Sequence, residues 1–262
     1  MQMSQSVNEA SGFQFHHFGL IVTGEGEEEF LPELFREFMR GRSCTFEVLR
    51  KIGQRSPLTS RKKILKMVGT GKKIASKDET EIGLPARAYL KKGGSRFIIL
   101  IDDLEGDRIS QAEQVFQRYR DALDSIVGGL EYRASVHFLV NMLEAYYFAD
   151  PITVNSVLGT SIQNPTKNVE KIPHPKNMLK KLKPGFDEKA DGKKILSKLD
   201  MVLVLNTIDT CVWLRSLFAW CTMAIRKPAT TMFQLDRGAY AILTGRQLAG
   251  LKLVRDGKPK CI

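Results

Sequence analysis

Cysteine is scarce: the 262 residues hold four, at Cys44, Cys211, Cys221 and Cys261, with no CxxC pair among them. That spacing argues against a structural zinc site and against a disulfide framework. It sets a reduced, cytoplasmic protein as the expectation. No apolar run approaches the roughly 20 residues of a membrane-spanning helix. The polar stretch Met1 to Ser11 has no basic start followed by an apolar core, so no secretory signal is expected there. GxSxG, a Cys/His nucleophile pairing and a Walker A segment are all missing. Gly69-Thr-Gly-Lys72-Lys73 lacks the glycine spacing of a phosphate loop, and Gly24-Glu-Gly26 lacks the later glycine of a dinucleotide fingerprint. An intrinsic NTPase is therefore not expected.

Acids are also in deficit, at 29 Asp and Glu against 40 Lys and Arg, a net charge of +11. Such a balance favours polyanionic partners, nucleic acid first. The distribution is uneven. Between Arg36 and Arg96 basic residues dominate, with Arg61, Lys62, Lys63, Lys66, Lys72 and Lys73 at their densest. Acidic clusters flank that segment, Glu25 to Glu29 on one side and Asp102 to Asp107 on the other. A basic surface beside clustered carboxylates is what a metal-dependent enzyme acting on phosphodiesters needs.

Apolar residues make up 43% and charged residues 26%, a globular composition with ample core. Residues 1–15 read as a flexible leader and 16–262 as one domain, helical from about residue 151. His16 and His17 fall beside that leader, where a His-His pair carries no strong ligand signal. Gly19 to Thr23 reads as a buried strand, broken by Gly24 and Gly26. Phe30, Leu31, Leu34, Phe35 and Phe38 then recur at helical spacing, with Glu27, Glu28 and Glu29 in the first turn. Further strands are expected at Thr45 to Ile52, Arg96 to Ile101 and Ser135 to Val140. Helices are expected at Arg61 to Val68, Leu84 to Leu90, Ala112 to Val127, Met142 to Ala149, Lys194 to Val204 and Thr207 to Ile225. This alternation predicts an α/β fold, a mostly parallel sheet flanked by helices, with a helical C-terminal extension packed on it.

The chemistry-bearing residues sit where two strands end. Asp102, Asp103, Glu105 and Asp107 follow the strongest strand, at the edge where parallel sheets place active sites. Extended alternation would put Asp103, Glu105 and Asp107 on one side. Grouped carboxylates repel unless a cation joins them, and Mg²⁺ takes oxygen ligands from one or two carboxylates, water and substrate phosphate. Glu25 and Glu27 to Glu29 close the first strand. Helix N-terminal decoration accounts for one or two of them, and convergence of both clusters on a metal pair for in-line phosphoryl displacement is the sharper reading. His137 reads as a core histidine and His174 as part of a solvated lysine-rich loop.

Five segments carry a family resemblance. They are Leu20-Ile-Val-Thr-Gly-Glu-Gly-Glu-Glu-Glu-Phe-Leu-Pro32, Ile101-Asp-Asp-Leu-Glu-Gly-Asp107, Met142-Leu-Glu-Ala-Tyr-Tyr-Phe-Ala-Asp150, Pro173-His-Pro-Lys176 and Asp209-Thr-Cys-Val-Trp-Leu-Arg-Ser-Leu-Phe218. Together they resemble the Toprim domain, in particular a bacterial Toprim-like family of unknown function found near ATPases and defence loci. That family is related to the Toprim domain of OLD-type (overcoming-lysogenization-defect) nucleases.

The resemblance implies a Toprim-like fold, a divalent-metal site for Mg²⁺ or Mn²⁺, and nuclease activity toward nucleic-acid phosphodiesters. It also implies a partner ATPase in another chain and a role in anti-phage defence. Asp103, Glu105 and Asp107 would hold one metal. Glu25 or Glu27 would hold a second or serve as general base, giving Glu25, Glu27 and Asp103 as catalytic candidates. Glu144 falls at a motif position near the metal, and Arg215 at a position that could approach phosphate. Two registers of the first motif are open: Thr23-Gly24 in the Glu-Gly slot with Glu27 second, or Glu25-Gly26 in that slot with Glu29 second. Strand length favours the first. A catalytically degenerate module that binds nucleic acid or a partner protein is the alternative, and nucleotidyl transfer a third. A homo-oligomer is compatible with the sequence, and a membrane role is not expected.

Overall fold

A computed structural model describes residues 14–57, 74–163, 168–206 and 210–225. The expected helix at 61–68, the glycine turn at 69–73, Asp209 and the tail from Arg226 lie outside the described residues, as does most of the leader.

The chain opens with β1 (His16–Val22), α1 (Glu25–Leu34), α2 (Arg36–Arg40) and β2 (Cys44–Lys51). It continues through α3 (Leu84–Leu90), β3 (Arg96–Leu104), α4 (Ala112–Val127) and β4 (Ala134–Val140). Then come α5 (Pro151–Leu158), α6 (Pro175–Leu182), α7 (Ala190–Lys198), α8 (Met201–Asn206) and α9 (Val212–Ala224). The four strands form one sheet in the order β2-β1-β3-β4, parallel throughout. Both faces are covered, which is why β1 and β3 read as continuous apolar runs rather than alternating ones. Phe18, Leu20, Val22, Ile99 and Ile101 point into a core shared with α1, α2 and α9. Ile21, Ile98, Leu100 and Leu104 point into the opposite core, with α3 and α4.

The first strand starts earlier than expected, so His16 and His17 are strand residues pairing with Cys44 and Thr45. The 194–204 segment is two helices rather than one. Asp150 explains the break: its side chain caps Thr153 N at 3.1 Å on α5 and accepts Asp200 N at 3.0 Å between α7 and α8. The segment from Leu143 to Ala149 is a 3₁₀ helix. His137 is a half-buried strand residue against Trp220, and desolvation pushes its imidazole down to about 3. Among the described residues no helix is long and apolar enough to cross a membrane.

The chain leaves β1 toward β2 on one side and reaches β3 on the other, so the connection reverses between β1 and β3. In an open parallel sheet that reversal opens a crevice at the C-terminal strand ends. Thr23, Glu27, Asp102 and Asp103 all arrive there.

Candidate active site

The pleat of β3 sends its two aspartates to opposite faces. Asp102 faces α4 and is fully satisfied. It accepts from Thr23 Oγ1 at 2.8 Å and Tyr119 OH at 3.0 Å, and it pairs with Arg108. Burial raises its carboxyl pKa, opposed by Arg108 and then Thr23. This residue anchors the sheet edge. Thr23 Oγ1 also accepts Asp103 N at 3.3 Å, while Gln54 and Arg108 donate to the Asp103 carbonyl. The backbone of Asp103 is thus gripped on both sides.

Asp103 itself points to the α1 face. α1 begins at Glu25, and the helical turn decides which of its acids turns inward. Glu27 shares its face with Phe30, Leu31 and Leu34, and only 4% of it is exposed. It lies against Asp103, whose pKa is raised well above the usual carboxyl range by burial first and the Glu27 charge second. Glu27 Oε2 and Asp103 Oδ1 are both buried without a hydrogen-bond partner among the described residues. Gly24 keeps room for this arrangement, since a Cβ there would run into Glu27 Oε2.

Glu144 completes the acidic group from the far side. After β4, Asn141 and Met142 take φ of 58° and 75°, a left-handed turn that non-glycine residues adopt only under constraint. Asn141 is held by its N–H to Leu104 O at 2.9 Å and by its side chain to Glu170 O at 2.7 Å. The turn brings the 3₁₀ helix back over the strand ends. Burial raises the Glu144 pKa, and its charge adds to that of Glu27 at Asp103. Tyr147, one turn on, is pushed up by burial and then by Glu144, Glu27 and Asp103. Lys176 is the facing cation, 3.9 Å from Glu144 and 2.8 Å from Glu188. Burial pulls its pKa down, but Glu188 and Glu144 together hold it above the usual range.

The structure therefore brings together Glu27, Asp103 and Glu144 from the expected set and separates others from them. Glu25 is exposed on the outer face of α1, 3.6 Å from Lys51, which also pairs with Glu28 at 3.0 Å. A strand that ends at Val22 leaves Glu25 on the first, outward position of the helix, so it does not join Asp103. Glu105 is exposed at the rim, and its charge reaches Lys176 rather than the buried pair. Extended alternation stops there because a 3₁₀ helix, Gly106–Gln111, follows directly. The side chain of Asp107 lies outside the described residues. So do Arg61, Lys62, Lys63, Lys66, Lys72 and Lys73. Arg215 is 1% exposed on α9 and so is a core cation rather than a surface contact for phosphate.

Within the described part of 36–96, many cations serve the fold. Arg36 donates to Leu196 O and Leu199 O, and Arg55 is buried against Asp78 and Glu81. Thr23, Tyr147 and Lys176 fall within the segments that carry the family resemblance but have no site role there, and Arg108 lies outside them. Of these, Tyr147 had a usable signal, three residues after Glu144 on the same helical face.

Among the described residues no three His, Cys, Asp or Glu side chains are arranged to hold a metal ion. The two orphaned oxygens of Glu27 and Asp103 nonetheless suit one hard cation that completes its shell with water and phosphate. A second cation finds no comparable pair among the described residues.

No curated protein and no solved structure matches the chain. One family does match, over residues 22–219, a span that runs from the end of β1 to α9 and contains Glu27, Asp103, Glu144, Tyr147 and Lys176. The chain belongs to that family, described as a domain of unknown function (DUF4276).

Proposed function

We propose that the protein is a divalent-metal-dependent nuclease with a Toprim-like site at the β1/β3 crevice. The observation that carries the reading is the buried, interacting Glu27 and Asp103 pair, each with one oxygen that has no hydrogen-bond partner among the described residues. Two buried carboxylates in contact repel unless a proton or a cation lies between them. Glu27 and Asp103 would hold Mg²⁺ or Mn²⁺, which when bound supplies Lewis-acid polarisation of a phosphoryl oxygen and an activated water. Thr23, Gln54 and Arg108 fix the backbone of Asp103. Glu144, whose pKa burial raises above the ordinary carboxyl value, accepts the proton of the attacking water at its carboxylate. Lys176 donates N–H to a phosphate oxygen as a point charge. An ATPase supplied by another chain and a place in anti-phage defence belong to the same reading, on the sequence resemblance alone.

The test is cleavage of labelled plasmid, single-stranded DNA and RNA with Mg²⁺ or Mn²⁺, with and without EDTA. Cutting should require metal and disappear in Asp103→Ala and Glu27→Ala. Cutting that survives chelator, or either substitution, would reject the site. The second reading, a non-catalytic binding module, draws on the absence of a three-carboxylate set among the described residues. Calorimetric titration separates the two, because a module without a metal site takes up no Mg²⁺ or Mn²⁺ at millimolar concentration.

A further inference from the structure

The expected cluster from Arg61 to Lys73 lies outside the described residues, and a second lysine-rich segment lies within them. Residues 171–198 hold nine lysines against three acids, Asp187, Glu188 and Asp191. Their placement matters more than their number. On α6, Lys176 and Lys180 stand one turn apart on one face, both reaching Glu188, at 2.8 and 3.3 Å. On α7, Lys193 lies over the Phe30 ring, and Lys189, just before that helix, is 3.9 Å from Glu29. Both of those partners belong to α1, the helix that carries Glu27. Between them, Gly192 packs on the Tyr147 hydroxyl, which faces the carboxylates. The lysines of α6 and α7 therefore border the mouth of the carboxylate pair.

We infer that the α6–α7 face, through Lys180, Lys181, Lys189 and Lys193 beside Lys176, is the surface that binds the phosphate backbone of a nucleic acid. The choice of nucleic acid over another polyanion rests on the reading of the crevice as a phosphodiesterase site. The internal ion pairs do not argue against it. Lys189 is 71% exposed and meets Glu29 at 3.9 Å, an exposed pair of little net strength that an incoming phosphate displaces. Several described cations elsewhere are differently committed: Arg36 and Arg55 are folded inward, and Lys91 and Lys92 stand before β3, at the opposite edge of the sheet from the crevice.

The test is fluorescence anisotropy with the full chain in EDTA, using fluorescein-labelled 24-mer single-stranded and duplex DNA across a salt series. The K180Q/K181Q/K189Q/K193Q variant should bind at least tenfold more weakly than native protein at low salt. Its plot of log affinity against log salt should flatten by roughly three to three and a half units, since each of the four lost phosphate contacts removes about 0.7 to 0.9. The four-arginine counterpart at the same positions should restore binding, which separates lost charge from lost folding. A control with equal charge loss at the opposite edge, R42Q/R87Q/K91Q/K92Q, should stay within about threefold of native.

Equal binding by the first variant and native protein would overturn the assignment. So would equal weakening in the control, or failure of native protein to bind either DNA. Retention of a polyglutamate peptide in place of DNA would assign the face to an acidic protein instead. Because no metal is present, the result is independent of cleavage. DNA binding on this face without metal uptake at Glu27 and Asp103 would uphold the surface and reject the nuclease.

Discussion

Replacing Asp103 by Asn should make the metal-free protein more stable while removing its response to Mg²⁺. Asp103 is buried against Glu27, and each residue presents an oxygen without a hydrogen-bond partner among the described residues. A buried polar group left unsatisfied costs about 1–3 kcal/mol, and more when charged. The neutral amide removes the repulsion and can donate to Glu27. We therefore expect a gain of about 1–3 kcal/mol at pH 7 in EDTA, which raises Tm by about 2–4 °C per kcal/mol for a domain of this size.

The sign of the pH dependence follows from the same burial. The folded-state pKa of Asp103 lies above its unfolded value, so the native state keeps a proton that the unfolded chain releases. Its stabilising share is present below the unfolded carboxyl pKa and is lost as pH climbs through the folded one. The amide in Asp103→Asn does not titrate, so the variant should show a flatter stability–pH profile above about pH 4. Mg²⁺ at about 10 mM should stabilise native protein by about 1.4 kcal/mol if Kd is about 1 mM, and should leave the variant unmoved. Thermal unfolding by circular dichroism, with and without EDTA between pH 5 and 8, reads all three effects. A variant less stable than native in EDTA by about 1 kcal/mol or more would refute the reasoning, because Asp103 would then hold the fold rather than wait for a cation.

Gly24→Ala should leave stability within about 1 kcal/mol, because φ of −106° at Gly24 suits any residue, yet weaken Mg²⁺ uptake at least fivefold by displacing the Glu27 carboxylate. Calorimetric titration checks it, and unchanged affinity would refute the packing argument. Glu170 receives Trp213 N at 2.8 Å and Leu214 N at 3.3 Å at the start of α9, and burial pushes its carboxyl up to about 8. Since the folded pKa is raised, its contribution is lost as pH rises from the ordinary carboxyl range toward 8. Urea titrations should show that loss in native protein and not in Glu170→Gln, which keeps Oε1 as acceptor. Parallel profiles for the two proteins would contradict it.

Local pattern was enough for the strands and several helices. The apolar run before Asp102 is β3, the stripe from Ala112 to Val127 is α4, and Leu84–Leu90 is α3. The same periodicity that puts Phe30, Leu31 and Leu34 inward also turns Glu27 inward and Glu25 outward, so the separation of these two acids was present in the helix spacing. Asp103 was legible for the same reason, one pleat away from Asp102. What could not be read was whatever depends on partners far along the chain. Asp102 is neutralised by Arg108, Tyr119 and Thr23, and the third lies 79 positions away. The helix break near residue 200 follows from Asp150, 50 positions earlier.

Charge is the least direct guide among the described residues, for a physical reason. A run of basic residues records how many cations a segment has, not how many are spent on the fold. Arg36 closes α7 and its C-terminal carbonyls, Arg55 locks Asp78 and Glu81, and Lys51 steadies Glu25 and Glu28. The lysines from Lys176 to Lys189 lie in a stretch rich in Pro, Asn and Lys, which reads from sequence as loops with short helices. Only the packing of α7 on α1 sets them at the rim of the Glu27 and Asp103 pair. In this fold the juxtaposition of those lysines with the buried carboxylates is created by tertiary contact between α1, α7 and the Leu143–Ala149 turn.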